Sequence, residues 1–147
     1  MPTRTARTAW NGPLETGSGQ VELSSSKVGT YDVSFPKRAA DDAGGMTSPE
    51  ELMAAAHSSC YAMQLSALIA AAGGTPQSLE VTAAVSLGPD ASDGGFRLTG
   101  IALTVVGEVE GLSADGFAKA AQDAKAGCPV SKALTGVEIT LDASLAQ

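Results

Sequence analysis

Apolar and polar positions alternate over several stretches of the chain, and this period of two predicts β-strands. In the N-terminal third the alternating stretches are residues 3–10, 20–24 and 30–35. Later in the chain they are residues 78–87, 95–109 and 137–143, with a turn over residues 89–94 that joins the first two as a hairpin. The pattern therefore predicts two groups of strands with other structure between them.

The longest apolar run, residues 52–72, predicts a buried central helix. Ser48 suits the N-cap and Pro49 the first helical position, and Glu51 stands three residues after Ser48, which completes a capping box. Gly73 can take the left-handed conformation that ends a helix. The run also contains a histidine, a glutamine and several serines, which is too polar for a membrane span.

Two shorter helices are predicted in the C-terminal third. Ser113 can cap a helix that reaches about residue 125, and Pro129 opens a short one that reaches about residue 134. Strands, a long helix, a strand pair, helices and a last strand make an α+β arrangement. With no repeat or linker, residues 1–147 are predicted to form a single domain.

Composition and charge limit the possible partners. Hydrophobic residues make up 44% of the chain and charged residues 17%, as in globular proteins. The net charge of −7 and nine scattered basic residues argue against binding to nucleic acid or to acidic membranes. The N-terminal residues lack the apolar stretch of a secretory signal, so we expect a cytoplasmic protein whose cysteines are reduced.

The two cysteines are the candidate reactive groups. Cys60 falls in the middle of the long helix. If Pro129 begins a helix, Cys128 is its N-cap, where free backbone N–H groups and the helix dipole lower the pKa of a thiol. Free cysteines are also often buried as small apolar residues, so the pattern leaves both interpretations open. His57 lies one helical turn before Cys60, which leaves a Cys–His hydrolase or transferase as a rival. A zinc site from these three residues would lack a fourth ligand.

A cysteine that reduces peroxides needs a cation nearby to keep it ionised. No basic residue neighbours Cys60 in sequence, and the candidates before the long helix are Lys27, Lys37 and Arg38. Arg38 is favoured because a guanidinium keeps its charge on burial and can pair with a carboxylate through two hydrogen bonds.

The segments around the two cysteines form motifs that are found together in one known family. Residues 47–63 read Thr-Ser-Pro-Glu-Glu-Leu-Met-Ala-Ala-Ala-His-Ser-Ser-Cys-Tyr-Ala-Met, and residues 124–131 read Ala-Lys-Ala-Gly-Cys-Pro-Val-Ser. Both resemble the motifs of the OsmC/Ohr family, the osmotically inducible protein C and organic hydroperoxide resistance proteins. His57 occupies a position where the organic hydroperoxide resistance branch tends to have another residue, and this favours the OsmC branch.

The resemblance implies an α+β OsmC-like fold, with antiparallel sheets around a long central helix, in an intertwined homodimer. It implies a thiol peroxidase in which Cys60 is the peroxidatic cysteine, Cys128 the resolving cysteine, and Arg38 and Glu50 are catalytic. Lys37 stays open as the cation, because the loop over residues 39–46 differs in length from the family pattern. Organic hydroperoxides would be the substrates and an external, lipoyl-type dithiol the reductant, with no bound cofactor or metal.

Helix geometry adds a condition to these roles. Glu50 and Cys60 are ten residues apart, about 15 Å along a straight helix. Either the helix is broken, or Glu50 of one chain acts on Cys60 of a second chain. A dimeric site like that of the family fits the second alternative, which predicts a two-fold dimer with shared sites. Apolar neighbours, among them Phe35, Tyr61 and Met63, would favour alkyl hydroperoxides. A redox sensor or ligand-binding protein without turnover remains the alternative from another class.

Overall fold

The first sheet comes from the N-terminal third of the chain. In the computed structural model, which describes residues 1–146, its strands are β1 (Arg7–Asn11), β2 (Ser18–Glu22) and β3 (Thr30–Val33), in that order and antiparallel. A Cβ atom on Gly19 would lie 2.9 Å from the indole ring of Trp10, its partner across the strands. Glycine at this position therefore lets the large ring lie close over the sheet.

A single helical turn, α1 (Phe35–Arg38), follows the first sheet. The Ser34 hydroxyl caps it by accepting a hydrogen bond from the Lys37 N–H at 3.3 Å. The alternating pattern predicted strand through residue 35, and the strand instead ends at Val33. The difference is explained by the cap and by a proline inside the turn, both of which favour helix.

The long helix α2 (Pro49–Ala71) begins and ends where the sequence predicts. The Ser48 hydroxyl accepts a hydrogen bond from the Glu51 N–H at 3.1 Å, and the Glu51 carboxylate accepts one from the Thr47 hydroxyl at 2.7 Å. The serine half of the capping box is thus formed, while the glutamate side chain pairs with a neighbouring hydroxyl. Gly73, at φ +90°, ends the helix.

The second sheet has strands β4 (Thr75–Pro89), β5 (Phe96–Glu110) and β6 (Ile139–Leu145), with β5 in the middle. The β4–β5 pair is the predicted antiparallel hairpin, but β6 lies parallel to β5, which departs from the antiparallel pairing expected for every strand. A parallel pair needs a long crossover. Helices α3 (Ala114–Gly127) and α4 (Pro129–Ala133) provide it. The α+β class is confirmed.

One face of α2 packs into the core beside the second sheet. Tyr61, Leu65 and Ile69 recur every four residues and are fully buried. Cys128 belongs to the same cluster. The other buried members come from β5 and α3, namely Ile101, Leu103, Val105, Phe117, Ala120, Ala121 and Ala124. Each large aliphatic side chain buried in this way contributes about 1.5–3 kcal/mol to folding.

The chain divides into two compact units, Met1–Leu52 and the part from Met53 onward, which we call the N-terminal and C-terminal units. Each contains one of the two sheets. The single domain expected over the whole chain stays a prediction. None of the helices within residues 1–146 combines the length and the apolar character needed to cross a bilayer.

Candidate active site

Cys60 and Cys128 meet in the C-terminal unit, although 68 positions separate them in sequence. Their Sγ atoms lie 3.0 Å apart and both thiols are free. Cys128 ends α3, where its N–H donates to the Ala124 carbonyl, and it also begins α4, where its carbonyl accepts from the Lys132 N–H. Since a disulfide bond measures about 2.05 Å, the two sulfurs would have to approach by about 1 Å when an oxidant converts the thiols to a disulfide.

The surroundings of the pair make Cys128 the more acidic thiol. Burial raises the pKa of Cys128, but hydrogen bonding from Cys60, from the Ser131 and Val130 N–H groups and from the Ser131 hydroxyl outweighs it, and the net pKa is lowered. No N–H closes a full capping hydrogen bond on this sulfur, so these groups act as nearby dipoles.

The surroundings of Cys60 have the opposite effect and raise its pKa. Burial raises its pKa, and the contact with Cys128 and the charge on that sulfur raise it further, against a smaller lowering by the Val130 N–H. Within the described residues, no basic side chain acts on the Cys60 pKa. The groups around Cys60 therefore favour its protonated form.

The two charged candidates, Arg38 and Glu50, pair within the N-terminal unit. Arg38 Nε donates to Oε1 and Oε2 of Glu50 at 3.0 and 3.2 Å, and Nη2 donates to Oε1 at 2.7 Å. Glu50 lies in the first turn of α2, where the helix dipole favours a carboxylate, and its side chain is 10% exposed. The structure thus joins Arg38 and not Lys37 to Glu50, and it leaves Arg38 Nη1 without a partner among residues 1–146.

An apolar cavity of about 410 Å³ adjoins Arg38 in the N-terminal unit. Its walls are mostly hydrophobic, and the guanidinium of Arg38 is the charged group in them. A mostly apolar pocket with a single charged group is typical of sites for small organic ligands. The lining residues are Thr8, Trp10, Leu14, Val21, Val33, Ser34, Phe35, Arg38, Thr47, Pro49 and Leu52.

His57 is fully buried, and its hydrogen-bond partner is Ser131. The distance from Nε2 to the Ser131 Oγ is 2.7 Å, and burial lowers the pKa of the imidazole. In the part of the chain that the structure describes, no hydrogen bond joins His57 to Cys60, so the geometry does not form a Cys–His dyad. The same residues hold no cluster of three or more metal-ligating side chains.

Three apolar residues expected near the substrate lie in different surroundings. Phe35 lines the cavity beside Arg38. Tyr61 is a core residue whose hydroxyl donates to the Ala121 carbonyl at 2.9 Å, and Met63 is 73% exposed. Sequence reasoning also missed Ser131. Its position two residues after Pro129 marked it as a helix residue, but nothing in the sequence linked it to His57, 74 positions away.

Comparison with known proteins identifies relatives over nearly the whole chain. The family model described as OsmC-like protein matches residues 41–142. The chain is 43% identical over 136 residues to "Peroxiredoxin OsmC" of Escherichia coli (strain K12), covering 92% of each protein. It is 37% identical over 122 residues to "Organic hydroperoxide resistance protein OhrA" of Bacillus subtilis (strain 168), covering 82% of this chain and 84% of that protein.

A solved structure shows the same likeness in three dimensions. The crystal structure of the organic hydroperoxide resistance protein OhrB of Bacillus subtilis superposes with a TM-score of 0.74 at 28% identity, covering 95% of this chain and 97% of that one. The OsmC-like fold is therefore confirmed. The higher identity to the Escherichia coli OsmC protein than to OhrA agrees with the branch that the sequence favours.

Proposed function

Because the chain belongs to the OsmC/Ohr family, we propose that it is a thiol-dependent peroxidase that reduces organic hydroperoxides to alcohols. The observation that carries the proposal is the 3.0 Å contact between Cys60 and Cys128, two free thiols from distant parts of the chain. A peroxidase that recycles through a disulfide needs such a pair. The names of the relatives, a peroxiredoxin and organic hydroperoxide resistance proteins, support the same chemistry.

In the first step, the Cys60 thiolate attacks the terminal oxygen of the hydroperoxide. The sulfur–oxygen bond forms as the oxygen–oxygen bond breaks, so Cys60 becomes a sulfenic acid and the substrate leaves as an alkoxide that takes a proton to give the alcohol. Cys60 is assigned this role because it is the partly exposed member of the pair, while Cys128 is fully buried.

In the second step, the Cys128 thiolate attacks the sulfenic sulfur of Cys60. The disulfide forms, and hydroxide leaves and is protonated to water. The lowered pKa of Cys128 suits this nucleophilic role. An external dithiol, for which we propose the lipoyl type, then reduces the disulfide by two exchange steps, so no bound cofactor or metal is required.

Arg38 is proposed to supply the cation that Cys60 lacks. Its Nη1 faces no partner in the described residues, while Glu50 fixes the rest of the guanidinium. Helix α2 is unbroken from Pro49 to Ala71, so ten residues, about 15 Å of helix axis, lie between Glu50 and Cys60. We therefore propose a homodimer in which the Arg38–Glu50 pair acts on Cys60 of the partner subunit.

The apolar cavity beside Arg38 supports an organic substrate. Its volume and hydrophobic walls suit an alkyl or aryl group, and the guanidinium can polarise the peroxide at one end. Trp10 is 41% exposed and Leu14 56% exposed in a single chain, and burying them in a dimer would enclose the cavity further.

The test follows consumption of tert-butyl hydroperoxide with a dithiol in excess, for the wild type, Cys60→Ser and Cys128→Ser. We expect many turnovers for the wild type, none for Cys60→Ser, and slower turnover for Cys128→Ser, whose Cys60 sulfenic acid must react directly with the external dithiol. Mass spectrometry after one equivalent of peroxide should show a Cys60–Cys128 disulfide. Stoichiometric consumption by the wild type would instead indicate a redox sensor, and full activity of Cys128→Ser would remove the resolving role.

A further inference from the structure

A buried hydrogen bond joins α2 to α4 close to the two cysteines, and the proposed function gives it no task. The imidazole Nε2 of His57 lies 2.7 Å from the Ser131 Oγ, and both residues are buried. Polar groups at this depth are costly unless they are hydrogen-bonded. The bond therefore favours one arrangement of the two helices, in which these side chains meet.

The position of this bond matches the position of the sulfur contact. His57 precedes Cys60 by three residues on α2, and Ser131 follows Cys128, the N-cap of α4, by three residues. The hydrogen bond and the 3.0 Å contact between the sulfurs are therefore two links between the same two segments. The links lie about one helical turn apart, about 4.5 Å along a helix axis. A change in one link is thus expected to reach the other.

Each end of the bond depends on the other. His57 Nδ1 is buried and has no hydrogen-bond partner among residues 1–146, so within that range the imidazole is paired through Nε2 with Ser131. Ser131 is the buried residue of α4, a helix of five residues. Helices of this length are unstable alone and are held in place by tertiary contacts. Loss of the bond would leave a buried imidazole unpaired and would remove a directional contact between α4 and α2.

We propose that His57 and Ser131 are positioning residues that hold the start of α4 against α2, and with it the Cys128 sulfur against that of Cys60. The Cys128 carbonyl accepts a hydrogen bond from the Lys132 N–H at 3.0 Å, so the cysteine moves with the first turn of α4. In this role neither residue exchanges a proton or an electron. The proposal rests on the proposed peroxidase function, in which a short distance between the sulfurs closes the disulfide before Cys60 is oxidised further.

The test measures how readily the two thiols form a disulfide when no peroxide is present. The reduced protein is equilibrated with mixtures of oxidised and reduced dithiothreitol, quenched with acid, alkylated and analysed by mass spectrometry. In this exchange the two cysteines give two electrons and two protons to the cyclic disulfide of oxidised dithiothreitol, which becomes the dithiol. The equilibrium constant reports how favourable it is to bring the two sulfurs together in the folded protein.

We expect Ser131→Ala and His57→Leu each to lower this constant by about two- to tenfold, since one hydrogen bond can favour the aligned arrangement by no more than its own net free energy. His57→Gln should keep the wild-type value, because its side-chain amide can donate to or accept from the Ser131 hydroxyl. Ile69→Val is the control for stability. Ile69 is a fully buried residue of α2, twelve positions after His57, so its truncation should lower the melting temperature and leave the constant unchanged.

Three outcomes would overturn the proposal. The first is an unchanged constant in either Ser131→Ala or His57→Leu. The second is a fall in His57→Gln as large as in His57→Leu, which would indicate packing alone, and the third is a similar fall in Ile69→Val, which would show that the constant follows overall stability. Ser131→Ala removes a single oxygen atom and so keeps the test decisive if His57→Leu does not fold. Because this exchange needs no peroxide, a lack of turnover with tert-butyl hydroperoxide would refute the peroxidase function without changing the result for His57 and Ser131.

Discussion

The two units each hold half of the candidate chemistry, and the halves are built differently. In the N-terminal unit, Arg38 and Glu50 form a charged pair that is partly open to solvent beside an apolar cavity. In the C-terminal unit, Cys60 and Cys128 are sulfurs in an apolar core, where the described residues provide no cation. The Arg38–Glu50 pair lies beside a pocket that contains no thiol, whereas the cysteine pair contains a thiol, Cys60, whose pKa is raised by burial.

Because of this difference, neither unit by itself is sufficient for the proposed peroxidase reaction. A carboxylate near a helix start can orient a guanidinium at little cost, since the two charges compensate each other. A thiol in a core is inert until a positive charge approaches it.

The largest effect is expected from removing the cation. Arg38→Met should lower kcat/KM for tert-butyl hydroperoxide by about 10²–10³-fold, the usual loss for a group that stabilises developing negative charge. Lys37→Met is the matched control, because Lys37 adjoins Arg38 but forms no ion pair in the described part of the chain. Steady-state kinetics with a saturating dithiol would check this. Comparable damage from Lys37→Met would transfer the role to Lys37.

A smaller loss of activity is expected when a residue in the wall of the apolar cavity is replaced. Val33→Thr replaces a methyl group with a hydroxyl of similar size and should lower kcat/KM for cumene hydroperoxide by about fourfold, the equivalent of about 0.8 kcal/mol. The rate with hydrogen peroxide, which has no apolar group, should stay the same. Val28→Thr is the control, since Val28 is 72% exposed and does not line the cavity. Equal losses with both peroxides would show that this cavity does not bind the substrate.

The smallest effect concerns the coupling between the two thiols. The substitution Cys128→Ser removes two of the causes that raise the pKa of Cys60. These are the contact with Cys128 and the charge on that sulfur. The Cys60 pKa should therefore fall, and the midpoint of its alkylation by iodoacetamide should move to lower pH. The gain in rate below that midpoint is modest, because a less basic thiolate is also less nucleophilic. An unchanged or higher midpoint would show that burial alone sets the Cys60 pKa.

Much of the fold could be predicted from residues that are close together in sequence. Ser48, Pro49 and Gly73 located both ends of α2, because caps and helix stops depend on residues close in sequence. Alternation found the β4–β5 hairpin for the same reason. The single turn α1 was missed although Ser34 signals it, since the alternating pattern appeared to continue through Phe35. The parallel pairing of β6 depends on how a distant strand returns to the sheet, and alternation does not encode direction.

For the candidate site, the sequence by itself determined which residues could react: two cysteines within two motifs, and a short set of cations. Only the tertiary structure decided that Cys128 is the more acidic thiol and that Arg38, not Lys37, pairs with Glu50. It also brought Ser131 to His57. The physical reason is that an ion pair or a buried hydrogen bond needs groups within a few ångströms in space, whereas Arg38 and Glu50 lie 12 positions apart in the chain and His57 and Ser131 lie 74 apart.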